Sequence, residues 1–172
     1  MIDRPLTGEP LALDLVNTRW PAGGRDHDVF DDPAAFGEWL TEHGLVPPAG
    51  QGYRRPLLEA RDAIRRFLEE GSPDGVNAVL DHGRLALSLD RDRPAERIDL
   101  DDEDWRPAWE TARALVELLR TASPDRLRRC AGHDCVLWFL DTSRNGRRRW
   151  CSMTGCGNRA KARAHYVREK GD

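Results

Sequence analysis

Four cysteines, all in the last quarter of a 172-residue chain, constrain what the chain can fold into more than any other feature. They read Cys130-Ala-Gly-His-Asp-Cys135 and Cys151-Ser-Met-Thr-Gly-Cys156, two C-x4-C pairs separated by 15 residues. In a reducing compartment clustered cysteines favour a metal over disulfides; two disulfides or a redox dithiol is the alternative. A tetrahedral Zn2+ takes four thiolates, and each short pair supplies one edge of the tetrahedron. The small residues Ala131, Gly132, Ser152 and Gly155 let the backbone turn tightly and aim N–H groups at sulfur. The 47 residues from 126 to 172 are too few to hold themselves by a core alone. Bound zinc stabilises such a segment by on the order of 10 kcal/mol. One structural zinc on Cys130, Cys135, Cys151 and Cys156 is therefore expected, with His133 as a reserve ligand. Four protein ligands leave no open position for a catalytic water.

The net charge of −3 hides a split. Residues 1–125 hold 15 Arg against 26 Asp and Glu, a balance of −11. Residues 126–172 hold 12 Lys and Arg against 4 acids, a balance of +8. Such asymmetry points to a tail that meets polyanions and a body that does not. The chain is 33% charged and 39% apolar, with six Trp, which excludes a membrane protein and argues against a fully disordered one. Met1-Ile2-Asp3-Arg4 is no signal-peptide start, and no stretch approaches 18 apolar residues. A soluble cytoplasmic protein with no membrane partner is the expectation.

Residues 1–125 read as a mainly helical domain with one small β-hairpin. Apolar residues at 11, 13, 15, 16 and 20 suggest a helix over Leu11–Trp20, broken by Pro21 and Gly23-Gly24. Asp31-Asp32-Pro33 reads as a cap and first-turn proline for a helix that buries Phe36, Trp39 and Leu40 and ends at Gly44. Pro47-Pro48, Gly50 and Gly52 form a loop. Pro56 opens a helix whose stripe is Leu57, Ala60, Ile64, Phe67 and Leu68, stopped by Gly71. Ser72-Pro73-Asp74 starts a short helix to about Leu80. The alternating runs Leu85–Leu89 and Arg97–Leu100 predict the hairpin. The acidic run Asp101–Asp104 then caps a helix to about Thr121, with stripe Trp105, Trp109, Ala112, Val116 and Leu119. His27, His43 and His82 read as exposed or capping residues, and no catalytic set stands out. Asn17-Thr18 reads as a helix-end cap; a polar lining of a ligand pocket is the alternative, which makes both candidate ligand-binding residues.

In the tail, the β-prone runs Val136–Leu140 and Arg147–Cys151 flank Asn145-Gly146, a hairpin signal. Gly157–Lys170 is a good helix, with Cys156 at its start, where the dipole favours a thiolate. Knuckle, hairpin, second knuckle and helix describe a treble-clef-like zinc finger over 126–172. Trp150-Cys-Ser-Met153 followed by Cys156-Gly-Asn-Arg159, with the upstream pair and Trp138-Phe-Leu-Asp-x-Ser143, resembles the CGNR zinc finger. The first 125 residues, with Leu13-Asp-Leu-Val-Asn-Thr18 near their start, resemble the ABATE domain that precedes that finger. The resemblance implies a bacterial protein of the putative stress-induced transcription regulator family.

Arg147, Arg148, Arg149, Arg159, Lys161, Arg163 and Arg168 are the candidate DNA contacts. At 100° per residue Arg159, Arg163 and Lys170 share one helix face, with Lys161 and Arg168 nearer the other. Ala160, Ala162 and Ala164 keep the helix slim enough to approach a major groove, where Arg159 and Arg163 suit guanine edges. Arg148 can instead turn inward, because strand neighbours alternate. The favoured reading is a non-enzymatic regulator that binds DNA through the finger, while the helical body senses a small-molecule effector or mediates a homodimer. Two alternatives stand beside it: a finger that docks on an acidic protein without DNA, and a small-molecule enzyme with a structural zinc clamp. Trp138, Phe139 and Trp150 are read as packing the finger rather than stacking RNA bases.

Overall fold

A computed structural model describes residues 4–45 and 52–170, except the side chains of 167–170. The loop expected over 47–52 therefore lies outside the described residues apart from Gly52. The chain divides into two compact units, Met1–Phe36 with Leu118–Asp172, and Gly37–Glu117. The architecture is mainly helical with three two-stranded antiparallel sheets among the described residues.

The first unit begins with helix α1 (Leu11–Val16). Pro10 precedes it, and the Pro10 carbonyl accepts from the Leu13 and Asp14 amides at 2.8 and 2.9 Å. Leu13, Leu15 and Val16 are fully buried, as is Asp14, which pairs with Arg4. The helix stops at Val16, short of the expected Trp20. Trp20 belongs instead to strand β1 (Arg19–Ala22), which pairs with β2 (Arg25–Asp28). The glycines read as a simple break make the hairpin turn, because both take left-handed φ values of 59° and 74°. Trp20 opposes His27, and their rings stack 5.5 Å apart. Asp32 then caps helix α2 (Pro33–Glu42) through the Ala34 amide at 2.9 Å, as Asp-Pro predicts.

The second unit holds helices α3 (Arg54–Glu70) and α4 (Asp74–Leu80). Leu57, Ala60 and Ile64 are fully buried, which is the stripe seen in the sequence. Gly71 ends α3 in a left-handed conformation, its amide bonded to the Phe67 carbonyl at 2.8 Å. Strands β3 (Gly83–Asp90) and β4 (Arg93–Leu100) form the expected hairpin, longer than the alternation suggested and closed by Arg91-Asp92. Pro94 is tolerated because it opposes Leu89 at a pair whose N–H groups face outward, so no ladder bond is lost. Helix α5 (Arg106–Thr121) follows a 3-10 turn that Asp102 caps through the Asp104 amide at 2.9 Å. Trp109 anchors α5 by donating Nε1–H to the Leu80 carbonyl at 3.0 Å.

Back in the first unit, β5 (Leu127–Arg129) pairs with β6 (Trp138–Leu140). This corrects the expected partner of β6, which was the run Arg147–Cys151. The amides of that run are taken by side chains instead of by a ladder. Asp141 accepts from the Arg148 amide at 2.9 Å, and the Ser143 hydroxyl accepts from the Arg147 amide at 3.2 Å. A π-type turn over Met153–Gly157 then leads into helix α6 (Asn158–Lys170).

The other edge of β6 is filled by a side chain. Asn17 donates Nδ2–H to the Trp138 carbonyl at 2.8 Å and accepts from the Trp138 amide at 2.9 Å. A primary amide thus takes the place of a peptide group, and it is fully buried. Asn17→Ala strands both Trp138 groups, and each buried orphan costs about 1–3 kcal/mol. The expected loss is about 2–5 kcal/mol in urea unfolding of the zinc-loaded protein. A loss well under about 1 kcal/mol would show that β6 does not depend on Asn17.

Candidate metal centre

The two knuckles converge. The Sγ atoms of Cys130, Cys135, Cys151 and Cys156 all lie within 4.8 Å of one another. Cys135 and Cys151 are 3.8 Å apart, and Cys151 and Cys156 3.5 Å. Zn–S bonds of about 2.3 Å put the sulfurs of a tetrahedral site about 3.8 Å apart, so the quartet fits one zinc ion. Cys130, Cys151 and Cys156 are buried, and Cys135 is half-buried. The centre is a structural zinc site with four thiolate ligands. His133 stands outside the quartet, exposed and turned to Asp134.

Backbone and side-chain donors surround the sulfurs. Cys130 Sγ accepts from the amides of Gly132 at 3.4 Å and Cys151 at 3.2 Å. Arg159 donates a guanidinium N–H to Cys156 Sγ at 3.0 Å. Gly132 is required by close approach, because a Cβ there would sit 3.0 Å from both Cys156 Sγ and Cys135 Cβ. Three of the thiols oppose one another. Hydrogen bonds from Cys135 and then Cys151 hold the Cys130 thiol far below its ordinary value. The same contact with Cys130 pushes Cys135 up to about 12 and Cys151 higher still. A cation at the centre removes that conflict by stabilising all four thiolates together.

The basic residues of the tail separate into two sets. Arg148 is half-buried and turned inward, its guanidinium 4.2 Å from the centre of the Phe139 ring. It donates to the carbonyls of Trp150 at 3.1 Å and Cys151 at 2.6 Å, and it lies 3.3 Å from a Glu9 carboxylate oxygen. Arg126 bonds the Asp141 and Ser143 carbonyls, Arg128 bonds the Asp125 carbonyl, and Arg159 is held by Cys156. By contrast, Arg147, Arg149, Lys161 and Arg163 are exposed, and none has an acidic partner among the described residues. Arg149 lies over the Trp150 ring at 5.0 Å. The Arg168 side chain lies outside the described residues.

Asn17 and Thr18, the candidate ligand residues, are fully buried. Asn17 serves β6, and the Thr18 hydroxyl donates to the Leu15 carbonyl at 2.7 Å. Two further residues matter that the sequence reading passed over. Asp141 is buried and accepts from the Ser143 amide and hydroxyl at 2.9 and 2.5 Å. The Ser143 hydroxyl is the main cause that holds the Asp141 carboxyl below its usual range. Glu9 accepts from the Leu140 amide at 2.8 Å, while burial pushes its carboxyl up. The Asp141-x-Ser143 spacing was the available signal for the first; nothing local marks Glu9.

A quartet of sulfurs closed around one ion, followed directly by a helix, defines a four-cysteine zinc-finger protein with a mainly helical body. The family model of ABATE, described as "Putative stress-induced transcription regulator", matches residues 9–122, and that of the CGNR zinc finger matches 126–169. The chain belongs to the ABATE family and carries a CGNR zinc finger. No curated protein matches it.

Purified protein is expected to carry one zinc ion per chain by atomic absorption. Arg159→Ala should weaken zinc retention about 10–100-fold against a competing chelator, because the guanidinium supports a ligand from outside the coordination sphere. An unchanged affinity would remove that role. The acid response has a definite sign. A folded-state carboxyl lowered below its unfolded value gives stability that is present above the ordinary carboxylate pKa of about 4 and lost as pH falls through the folded value. The stability difference between wild type and Asp141→Asn should therefore shrink on acidification below about pH 4. A difference independent of pH would contradict the assignment.

Proposed function

We propose that the protein is a cytoplasmic DNA-binding transcription regulator whose finger grips the phosphate backbone through the outward set of cations. The observation that carries this is the sorting of the basic residues. Those that the finger needs for its own architecture are bonded to its carbonyls or, for Arg159, to Cys156 Sγ. Arg129, Arg144, Arg147, Arg149, Lys161 and Arg163 remain exposed without an acidic partner among the described residues. Helix α6 supports the same reading. From Asn158 to Tyr166 only Ala160 is even half-buried. A helix so exposed and so rich in cations is favoured by a polyanion laid along it. Its alanines keep it slim enough for a groove about 12 Å wide. Beside the second knuckle an open cleft of about 530 Å3, lined by Arg147, Arg149, Trp150 and Ser152 among others, is suited to a phosphate.

In this reading the chain is not an enzyme. The zinc has four protein ligands and offers no open position for water. Sensing of an effector or stress signal is given to the helical body on the strength of the family description alone. No helix among the described residues is long and apolar enough to cross a membrane.

Fluorescence anisotropy of the zinc-loaded protein on duplex genomic fragments tests the proposal. With about six phosphate contacts, the logarithm of affinity should fall against the logarithm of salt with a slope near −5. Arg163→Ala or Arg147→Ala should each reduce the slope by about 1. The absence of salt-sensitive binding would remove the proposal.

A further inference from the structure

The β3–β4 hairpin is exposed along nearly its whole length on both faces; of its sixteen strand residues only Gly83 is buried. No third strand joins it among the described residues. A two-stranded hairpin alone in water is marginal, and an open strand edge is a template for another strand. One of its faces carries a row of leucines on β3, with Glu96 across from the middle one. Leu85, Leu87 and Leu89 lie on it with 37%, 72% and 74% exposure.

We propose that β3 is a homodimer edge, which pairs antiparallel with β3 of a second copy about a two-fold axis at Leu87 to make a four-stranded sheet. The register follows from three observations. Asp90 and Arg93 flank a two-residue turn, so they form a hydrogen-bonded pair, as do Ser88–Ala95, Ala86–Arg97 and Arg84–Asp99. Leu85, Leu87 and Leu89 therefore turn their N–H and C=O groups to the free edge. A symmetric pairing that uses those groups centres on one of the three leucines or on Ala86 or Ser88 between them. Centring on Leu87 sets Leu87 against the partner's Leu87, and Leu85 against the partner's Leu89. It also sets Arg84 against the partner's Asp90 at each end, so the charges are self-complementary. Centring on any other of these residues sets no strand arginine opposite a strand aspartate of the partner.

The local state of these residues allows it. The Asp90 carboxylate makes no ion pair among the described residues. Arg84, 72% exposed, makes short-range contacts with the carbonyls of Leu80, Asp81 and Gly83 and a 3.7 Å contact with Asp81, which a surface side chain exchanges easily. The β4 edge is the poorer template, since Pro94 lacks the outward donor there. One strand edge buries less than the roughly 800 Å2 per partner of a standard interface, so the dimer should be concentration-dependent. It is independent of what the finger binds.

Sedimentation equilibrium of the zinc-loaded full chain over about 1–100 µM should show a monomer–dimer equilibrium. Leu87→Lys should weaken it at least about tenfold, because it sets two cations face to face at the axis. Unchanged circular dichroism and zinc content would establish that the variant is folded. Arg84→Asp and Asp90→Arg should each weaken self-association, since each sets like charges together at both ends. Mixed in equal amounts, these two variants should associate as wild type does, because both ends then pair opposite charges. A monomer throughout the range overturns the proposal, as does a dimer indifferent to Leu87→Lys or a mixture that fails to recover.

Discussion

Four sulfurs crowded within 4.8 Å cannot carry four negative charges unless a cation sits among them. Two like charges about 4 Å apart repel by roughly 4 kcal/mol even at an effective dielectric of 20. The protein shows the conflict in its thiols, with Cys130 driven low while Cys135 and Cys151 are driven up. Zinc converts this repulsion into four bonds, and the geometry of residues 130–157 is organised around that exchange. Gly132 gives up a side chain so that Cys156 Sγ can approach. Arg159 brings a positive charge to a centre whose formal charge with zinc is negative. The finger has little apolar core of its own, so the metal supplies what burial supplies elsewhere.

Hydrogen bonds tie the buried strand β6 of the finger to residues at the start of the chain. Asn17 grips the Trp138 peptide group, and Glu9 grips the Leu140 amide two residues on. Arg148 closes the circuit, bonded to Glu9 on one side and to the carbonyls of Trp150 and Cys151 on the other. The second zinc knuckle is thus linked through one arginine to a segment at the start of the chain. Loss of the ion should loosen this circuit, since the carbonyls that Arg148 reads are positioned by the knuckle.

The features legible in the sequence are those written in local spacing. The two C-x4-C pairs, the stripe Leu57–Ala60–Ile64, the stop at Gly71 and the charged helix after Cys156 each lie within a few turns of chain. Features that depend on distant partners were not legible. Asn17 finds its partner 121 residues away, and no local pattern announces that a side-chain amide will stand in for a strand. The same holds for the choice of Leu127–Arg129 over Arg147–Cys151 beside β6. Both runs are β-prone, and the choice turns on Asp141 and Ser143 having already bonded the Arg147 and Arg148 amides. Trp20 misled because helix and strand periods share short apolar runs, and the glycine pair that follows is a turn rather than an interruption.

Two elements draw little support from the packing around them, and they differ in chemistry. Among the described side chains of helix α6 only the small Ala160, Ala162 and Ala164 are aliphatic, so burial against another apolar surface would stabilise it little; neutralisation along its length would. The β3–β4 hairpin shows the reverse. Its unsatisfied groups are backbone donors and acceptors beside a leucine row, which a polyanion does not satisfy and a like strand does. The first element calls for a charged partner and the second for a self-complementary one. A dimer formed through one would present two copies of the other in a single assembly.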